Sequence, residues 1–212
     1  MGGALFKFIE GIKDGIFEVI YPKKYLCLVC EEEEVEGICE KCRKDIKKCN
    51  ENEISYAYYN STLKKLILDF KFRKNFNSGE LLSDFIVEKL KNEDRDYILT
   101  YVPISKKKLK NRGFNQCEYL CNEASKKLNV DVLETLKQVK EIRAQKTLNK
   151  EQREKNILNA FEAINIEKIK GKNIVLVDDV ITTGATIREC ERILKKCGVN
   201  KIKLLTIGKS DI

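Results

Sequence analysis

The segment Ile174-Val-Leu-Val-Asp178-Asp179-Val-Ile-Thr182-Thr183-Gly184-Ala185-Thr186 limits what this chain can fold into more than any other. Its opening apolar run fits a strand buried on both faces, as in a parallel sheet with helices on each side. Two carboxylates follow where that strand is expected to end, then hydroxyl and glycine residues, then a helical pattern. This order suits a ligand with a sugar diol at one end and a phosphate at the other. Asp178 and Asp179 can accept hydrogen bonds from ribose hydroxyls or hold a metal through water. Thr182, Thr183, Gly184, Ala185 and Thr186 offer main-chain N–H groups and hydroxyls at a helix N-terminus, where the dipole favours an anion. Gly184 lets the backbone approach a phosphate closely. The metal pocket of a receiver domain also uses strand-end acids, but it has no need of such a cradle.

The 212 residues can bury one good core with room for a small appended module. Nine cysteines and no histidine stand out. Cys27-Leu-Val-Cys30 and Cys39-Glu-Lys-Cys42 form two CxxC pairs joined by a short glutamate-rich linker, so both can converge on one ion. Without histidine, the ligand set is all sulfur and zinc is the expected structural metal. Cys49 is a possible substitute ligand with a poorer spacing. The competing reading, two disulfides, suits an oxidising compartment rather than a cytosol. Zinc would supply folding energy that so short a segment cannot obtain from burial. Cys117, Cys121, Cys190 and Cys197 fall on expected helices and read as small buried apolar residues.

Hydrophobic residues make up 42% and charged residues 35%, which fits a soluble globular protein. The formal net charge of +8 is compatible with phosphorylated or nucleic-acid ligands and equally with a solvated lysine-rich surface. Residues 1–20 carry apolar side chains at helical spacing, interrupted by Lys7, Glu10, Lys13 and Asp14. That pattern predicts an amphipathic helix docked on the body, and it is neither a signal peptide nor a membrane span. A cytoplasmic location follows as an expectation.

Three units are expected: the helix of 1–20, a cysteine module over 21–50 and an α/β domain over 51–212. Within the last, apolar residues at 63, 66, 67 and 70 mark a helix face, and Leu81–Leu90 reads as a second helix. Tyr97–Ile104 reads as a strand closed by Pro103. Ser105 to Gln116 reads as a basic loop running into a helix that ends near Leu128. A further strand is expected within Val130–Val139, and Arg143–Phe161 reads as a charged, mobile excursion. The Ile174 strand, a helix from Ala185 to Cys197 and a strand over Lys201–Ile207 complete the chain. Strands alternating with helices predict a mostly parallel sheet.

The 174–186 segment resembles the binding motif for phosphoribosyl pyrophosphate (PRPP) of type I phosphoribosyltransferases. The whole chain resembles the ComF family of competence proteins. The matching pieces are the CxxC pairs, Phe70-Lys71-Phe72-Arg73, Val102-Pro103-Ile104-Ser105, Arg112-Gly113-Phe114-Asn115-Gln116, Arg143-Ala-Gln145, Arg153-Glu-Lys-Asn156, Phe161 and Arg188-Glu189-Cys190. Cys117 and Cys121 stand where small apolar residues are usual. The resemblance implies a type I phosphoribosyltransferase-like domain behind a four-cysteine zinc module, with Mg²⁺ accompanying PRPP. It gives the ribose diol to Asp178 and Asp179 and the 5′-phosphate to Thr182–Thr186. Ser105, Lys106 and Lys107 become a pyrophosphate loop, and Arg112, Arg143 and Arg153 become catalytic candidates. It also implies a role in natural transformation, with single-stranded DNA, a helicase-like protein and a recombination mediator as partners. Lys71 and Arg73, interleaved with aromatic residues, are the nucleic-acid candidates, although Phe70, at helical spacing, is favoured as a core residue. An active transferase acting on a base is the alternative activity. No acceptor pocket can be read from the residues.

Overall fold

The computed structural model describes residues 26–141 and 157–210. The expected helix of 1–20 and the candidates Arg143 and Arg153 lie outside these residues.

The main sheet has four parallel strands in the order β1-β6-β5-β2: β1 (Ser55–Tyr58), β6 (Lys201–Lys209), β5 (Asn173–Ile181) and β2 (Ile98–Tyr101). A separate antiparallel ribbon pairs β3 (Leu136–Gln138) with β4 (Phe161–Ala163). Along β5 the side chains alternate between faces, as a pleated strand requires. Val175 and Val177 join one buried cluster, with Leu66, Ile67, Phe70 and Leu120, while Ile174 and Leu176 join another, with Ile169, Cys190 and Leu194. The α/β, mostly parallel architecture expected from the sequence is therefore present.

Local chemistry accounts for the helices. Helix α2 (Ser61–Arg73) starts at Asn60, whose side chain accepts from Leu63 N at 3.0 Å, and α3 (Phe76–Leu90) starts at Asn75, which accepts from Ser78 N at 3.1 Å. The Asn75 cap opens α3 earlier than the apolar spacing from Leu81 suggests. Leu63, Leu66, Ile67 and Phe70 form the buried face of α2, and each such side chain stabilises the fold by about 1.5–3 kcal/mol. Phe70 is a core residue, tilted against Phe114 at 5.1 Å between ring centroids.

Three sequence expectations require correction. The basic stretch after Ile104 is not a loop: Lys106–Arg112 forms a short helix, α4, capped by the Ser105 hydroxyl, which accepts from Lys108 N at 3.3 Å. The run has no apolar periodicity, so the cap was its only helical signal. Gly113 ends α4 in the left-handed region, and Asn115 caps α5 (Gln116–Leu128). Second, the end of the supposed excursion is structured. Ile157, Ala160 and Phe161 are buried, and Glu189 on α7 (Ala185–Lys196), the helix after the short α6 (Ile166–Ile169), accepts from Asn159 N at 3.0 Å. Third, β5 does not end at the acids. Asp178 still pairs with Thr206 and Val180 with Gly208, whereas pairing with β2 stops at Tyr101 opposite Val177.

Ahead of β1, a turn around Cys27–Glu33 and helix α1 (Glu40–Asp45) make the cysteine module. Ile38, Cys42 and Ile46 belong to the same buried cluster as α2 and α3. Thr62 donates to Asp45 at 2.6 Å, which ties the end of α1 to the start of α2.

Candidate functional sites

The strand arrangement creates the crevice. Helices α5 and α7, which follow the neighbouring strands β2 and β5, belong to different clusters on opposite faces of the sheet. A crevice opens at such a switch point, beyond the carboxyl ends of the strands. Asp178, Asp179 and the 182–186 loop lie there.

Asp179 is buried and its carboxylate is fully engaged. Its Oδ2 accepts from Lys71 Nζ at 2.5 Å and from Gln116 Nε2 at 2.7 Å, and its Oδ1 accepts from Val180 N at 2.6 Å. Burial alone would raise its pKa, but the Lys71 ammonium and the Gln116 amide outweigh that and hold it below the ordinary carboxylate value. Lys71 responds in the opposite sense: burial lowers it, and Asp179 more than compensates, raising it above its usual value. Asp178 is half-buried and differs. Burial first, and then the Asp179 charge, push it up to about 7, despite hydrogen bonds from Asp179 N at 2.8 Å and the Cys117 thiol at 3.6 Å. The adjacent acids thus occupy different protonation ranges.

Gly184 precedes α7 in the left-handed region, with φ of 74°, and as the N-cap it supplies no side-chain hydrogen bond. The Arg188 guanidinium donates to Thr183 O and rests on Gly184, where a Cβ would stand 2.5 Å from Nη1. Among the described residues Arg188 has no carboxylate partner. Thr182 is exposed, Thr183 and Thr186 are half-buried, and Ala185 is buried, its N–H reaching Thr183 Oγ1 at 3.4 Å.

The Arg112–Gln116 motif divides its work residue by residue. Phe114 packs into the aromatic cluster of Phe70 and Phe76, and Asn115 caps α5 while donating to Val102 O at 3.3 Å. Gln116 accepts from Arg112 and donates to Asp179, so Arg112 stands one side chain away from the acids. Ser105 is buried, whereas Lys106 and Lys107 are exposed on α4. Ser105 and Lys106 border a cavity of 380 Å³ shared with Lys137–Glu141. Arg73 is exposed and bonds Asp69 at 3.2 Å. Lys71, by contrast, is held by Asp179 and is not presented to solvent as a phosphate contact would require.

Sequence reasoning missed three contacts: Lys71 to Asp179, Gln116 to Asp179, and Arg188 to the loop. The last had a signal, because a helix opening at Gly184 places the residue four positions on over its own first turn. The first two join segments remote in sequence.

In the cysteine module the sulfurs of Cys27, Cys30, Cys39 and Cys42 all lie within 4.8 Å of one another, and Cys49 is not among them. No cysteine among the described residues is in a disulfide. Sulfurs bound tetrahedrally to zinc sit about 3.8 Å apart, and Cys30 Sγ to Cys39 Sγ is 3.5 Å. Main-chain N–H groups face two of the sulfurs: Cys39 N donates to Cys27 Sγ at 3.3 Å and Cys42 N to Cys39 Sγ at 3.5 Å. Even so, Glu32 and burial leave the Cys39 thiol raised, and burial with the neighbouring sulfurs raises Cys42. Burial opposes ionisation of Cys27, but backbone N–H groups of Cys39, Cys30 and Val29 overcome it and lower the thiol to about 6. The donor set fits a closed four-sulfur zinc site.

Similarity to known proteins runs along most of the chain. The Phosphoribosyl transferase domain matches residues 115–209, from the Asn115 cap to the end of β6. "Competence protein F" of Haemophilus influenzae is 27% identical over 82% of this chain and 91% of its own length. "Competence protein ComFC" of Streptococcus pneumoniae is 29% identical over 92% of this chain and 84% of its own. "DNA utilization protein YhgH" of Escherichia coli is 28% identical over 71% and 69%. A four-cysteine cluster ahead of a parallel-sheet phosphoribosyltransferase-type domain, with similarity to these proteins running along most of its length, is the arrangement by which the chain resembles the ComF family.

Proposed function

We propose that this protein binds PRPP or a related phosphosugar on the 178–186 segment and acts in DNA uptake, handling incoming single-stranded DNA in the cytoplasm. The observation that carries the ligand assignment is the start of α7 at Gly184, an N-cap without a side-chain hydrogen bond, beside an acid pair and an Arg188 guanidinium without a carboxylate partner among the described residues. Thr182–Thr186 and the helix dipole would take the 5′-phosphate. Asp178 and Asp179 would accept from the ribose hydroxyls, with Lys71 and Gln116 fixing the Asp179 carboxylate. Ser105, Lys106 and Lys107, together with Arg112, are the candidates for the diphosphate, and Arg143 and Arg153 keep the roles the family resemblance gives them. Mg²⁺ bound with PRPP would neutralise diphosphate charge. Cys27, Cys30, Cys39 and Cys42 would hold zinc and keep the module folded against α2 and α3.

The names of the relatives, competence and DNA utilization proteins, support the DNA reading, and so does the basic surface of α4. A helicase-like protein and a recombination mediator are the partners this role implies. No helix among the described residues is long and apolar enough to cross a membrane. Fluorescence anisotropy with a labelled single-stranded oligonucleotide, with and without PRPP and Mg²⁺, tests the reading. Binding should weaken steeply as salt rises and should change when PRPP is present. Absence of binding at low salt rejects the DNA assignment.

One observation favours a second reading, phosphoribosyl transfer. The Asp178 carboxyl, held at about 7 beside an ionised neighbour, can take a proton from an acceptor near neutral pH. Pyrophosphate release from PRPP in the presence of a base would establish it. A panel of bases without turnover rejects it for those acceptors.

A further inference from the structure

Phe72 is the most exposed large hydrophobic side chain among the described residues, at 69%, although Phe70 on the same helix is buried. The Phe72 ring is not isolated. Arg112 Cζ lies 5.4 Å from its centroid, and the same guanidinium donates to Gln116, which donates to Asp179. Lys74, where α2 ends, brings its ammonium to the end of α4, 3.5 Å from the position a Cβ on Gly113 would occupy. The C-terminal ends of α2 and α4 therefore converge on one ring, and the Lys106–Arg112 segment contains no acidic residue. An exposed aromatic face among cations suits a base stacked on the ring with its phosphates on the surrounding charges. An acidic protein surface would satisfy the cations but gives no reason for a bare phenyl ring.

We propose that Phe72, backed by Arg112, is the stacking platform for a base of single-stranded DNA, and that Arg73, Lys74, Lys108 and Lys110 carry the adjoining phosphates. The proposal rests on the DNA reading above and moves the nucleic-acid contact from Lys71, which Asp179 holds, to its neighbour. The platform lies two hydrogen bonds from Asp179, so strand and phosphosugar would share the Arg112–Gln116 link.

The chain has no tryptophan, so Phe72→Trp installs a single tryptophan on the platform, which can be excited apart from the tyrosines. An oligothymidylate should quench its emission in a saturable, salt-sensitive titration that tracks anisotropy. Phe72→Leu, which keeps apolar bulk but loses the π face, should weaken binding by about five- to a hundredfold without changing the melting temperature, and Phe72→Tyr should bind like the wild type. Wild-type binding with no quenching and no loss in Phe72→Leu overturns the platform while leaving the DNA reading standing. No binding by the wild type overturns both.

Discussion

The cysteine module and the strand-end site organise charge in opposite ways. In the module, four sulfurs from one stretch of 16 residues converge, with main-chain N–H groups as their partners. At the strand end, charges from three distant parts of the chain meet. Lys71 from α2 and Gln116 from α5 close on Asp179 from β5, with Arg112 behind them. The module would take its cohesion from a bound multivalent ion, while the strand-end site is already matched within the protein. A ligand there exchanges contacts with existing partners, and part of its binding energy is used in doing so.

The largest effect separating the two regions should come from Cys42→Ser. Structural zinc contributes about 10–16 kcal/mol to isolated fingers, so this variant should lose stoichiometric metal by atomic absorption and melt at a much lower temperature. A variant with full metal content and wild-type melting would show that the sulfurs are not a closed zinc site. Lys71→Met comes next. Removing one partner of a buried ion pair costs about 3–5 kcal/mol, which urea unfolding would read, and Asp179→Asn in the same background should recover part of the loss. A Lys71→Met cost near zero would mean that Lys71 does not neutralise Asp179.

A smaller, pH-dependent effect comes from the unequal acids. The raised folded value of Asp178 means that its stabilisation is complete below its unfolded value of 3.8 and is lost as pH rises through about 7. Asp179 is lowered, so its contribution is present above 3.8 and is lost as pH falls below that. Between about pH 4 and 8 the wild type should therefore lose stability relative to Asp178→Asn in parallel thermal melts. A constant difference across that window would place Asp178 in an ordinary solvated environment. The smallest effect is expected from Gly184→Ala. A left-handed alanine costs about 1–2 kcal/mol, and its Cβ would displace Arg188. Phosphosugar affinity should fall by more than the stability loss explains; equal affinity in the variant would exclude close approach of a phosphate at Gly184.

This contrast also explains what the sequence made legible. The cysteine cluster could be read from spacing because its ligands are local and of one type. The 174–186 segment was legible for the same reason: strand, acids, glycine and helix start follow one another along the chain. Lys71 and Gln116 were visible as members of short motifs, but their meeting at Asp179 depends on how α2 and α5 pack over β5. No local period encodes that packing. The α4 helix was obscured for another reason, since a run of lysines has no apolar face and only Ser105 and Gly113 mark its ends. Phe70 and Phe72 show how fine the distinction is: both are aromatic, two positions apart, one in the core and one bare.

Calorimetric titration of PRPP with Mg²⁺ into the wild type and into the Asp178→Asn, Asp179→Asn double variant tests the central claim most directly. The account predicts saturable binding to the wild type and at least a tenfold loss in a variant that still melts cooperatively. Equal affinity in the two proteins would contradict it, because the acids would then have no part in holding the ligand.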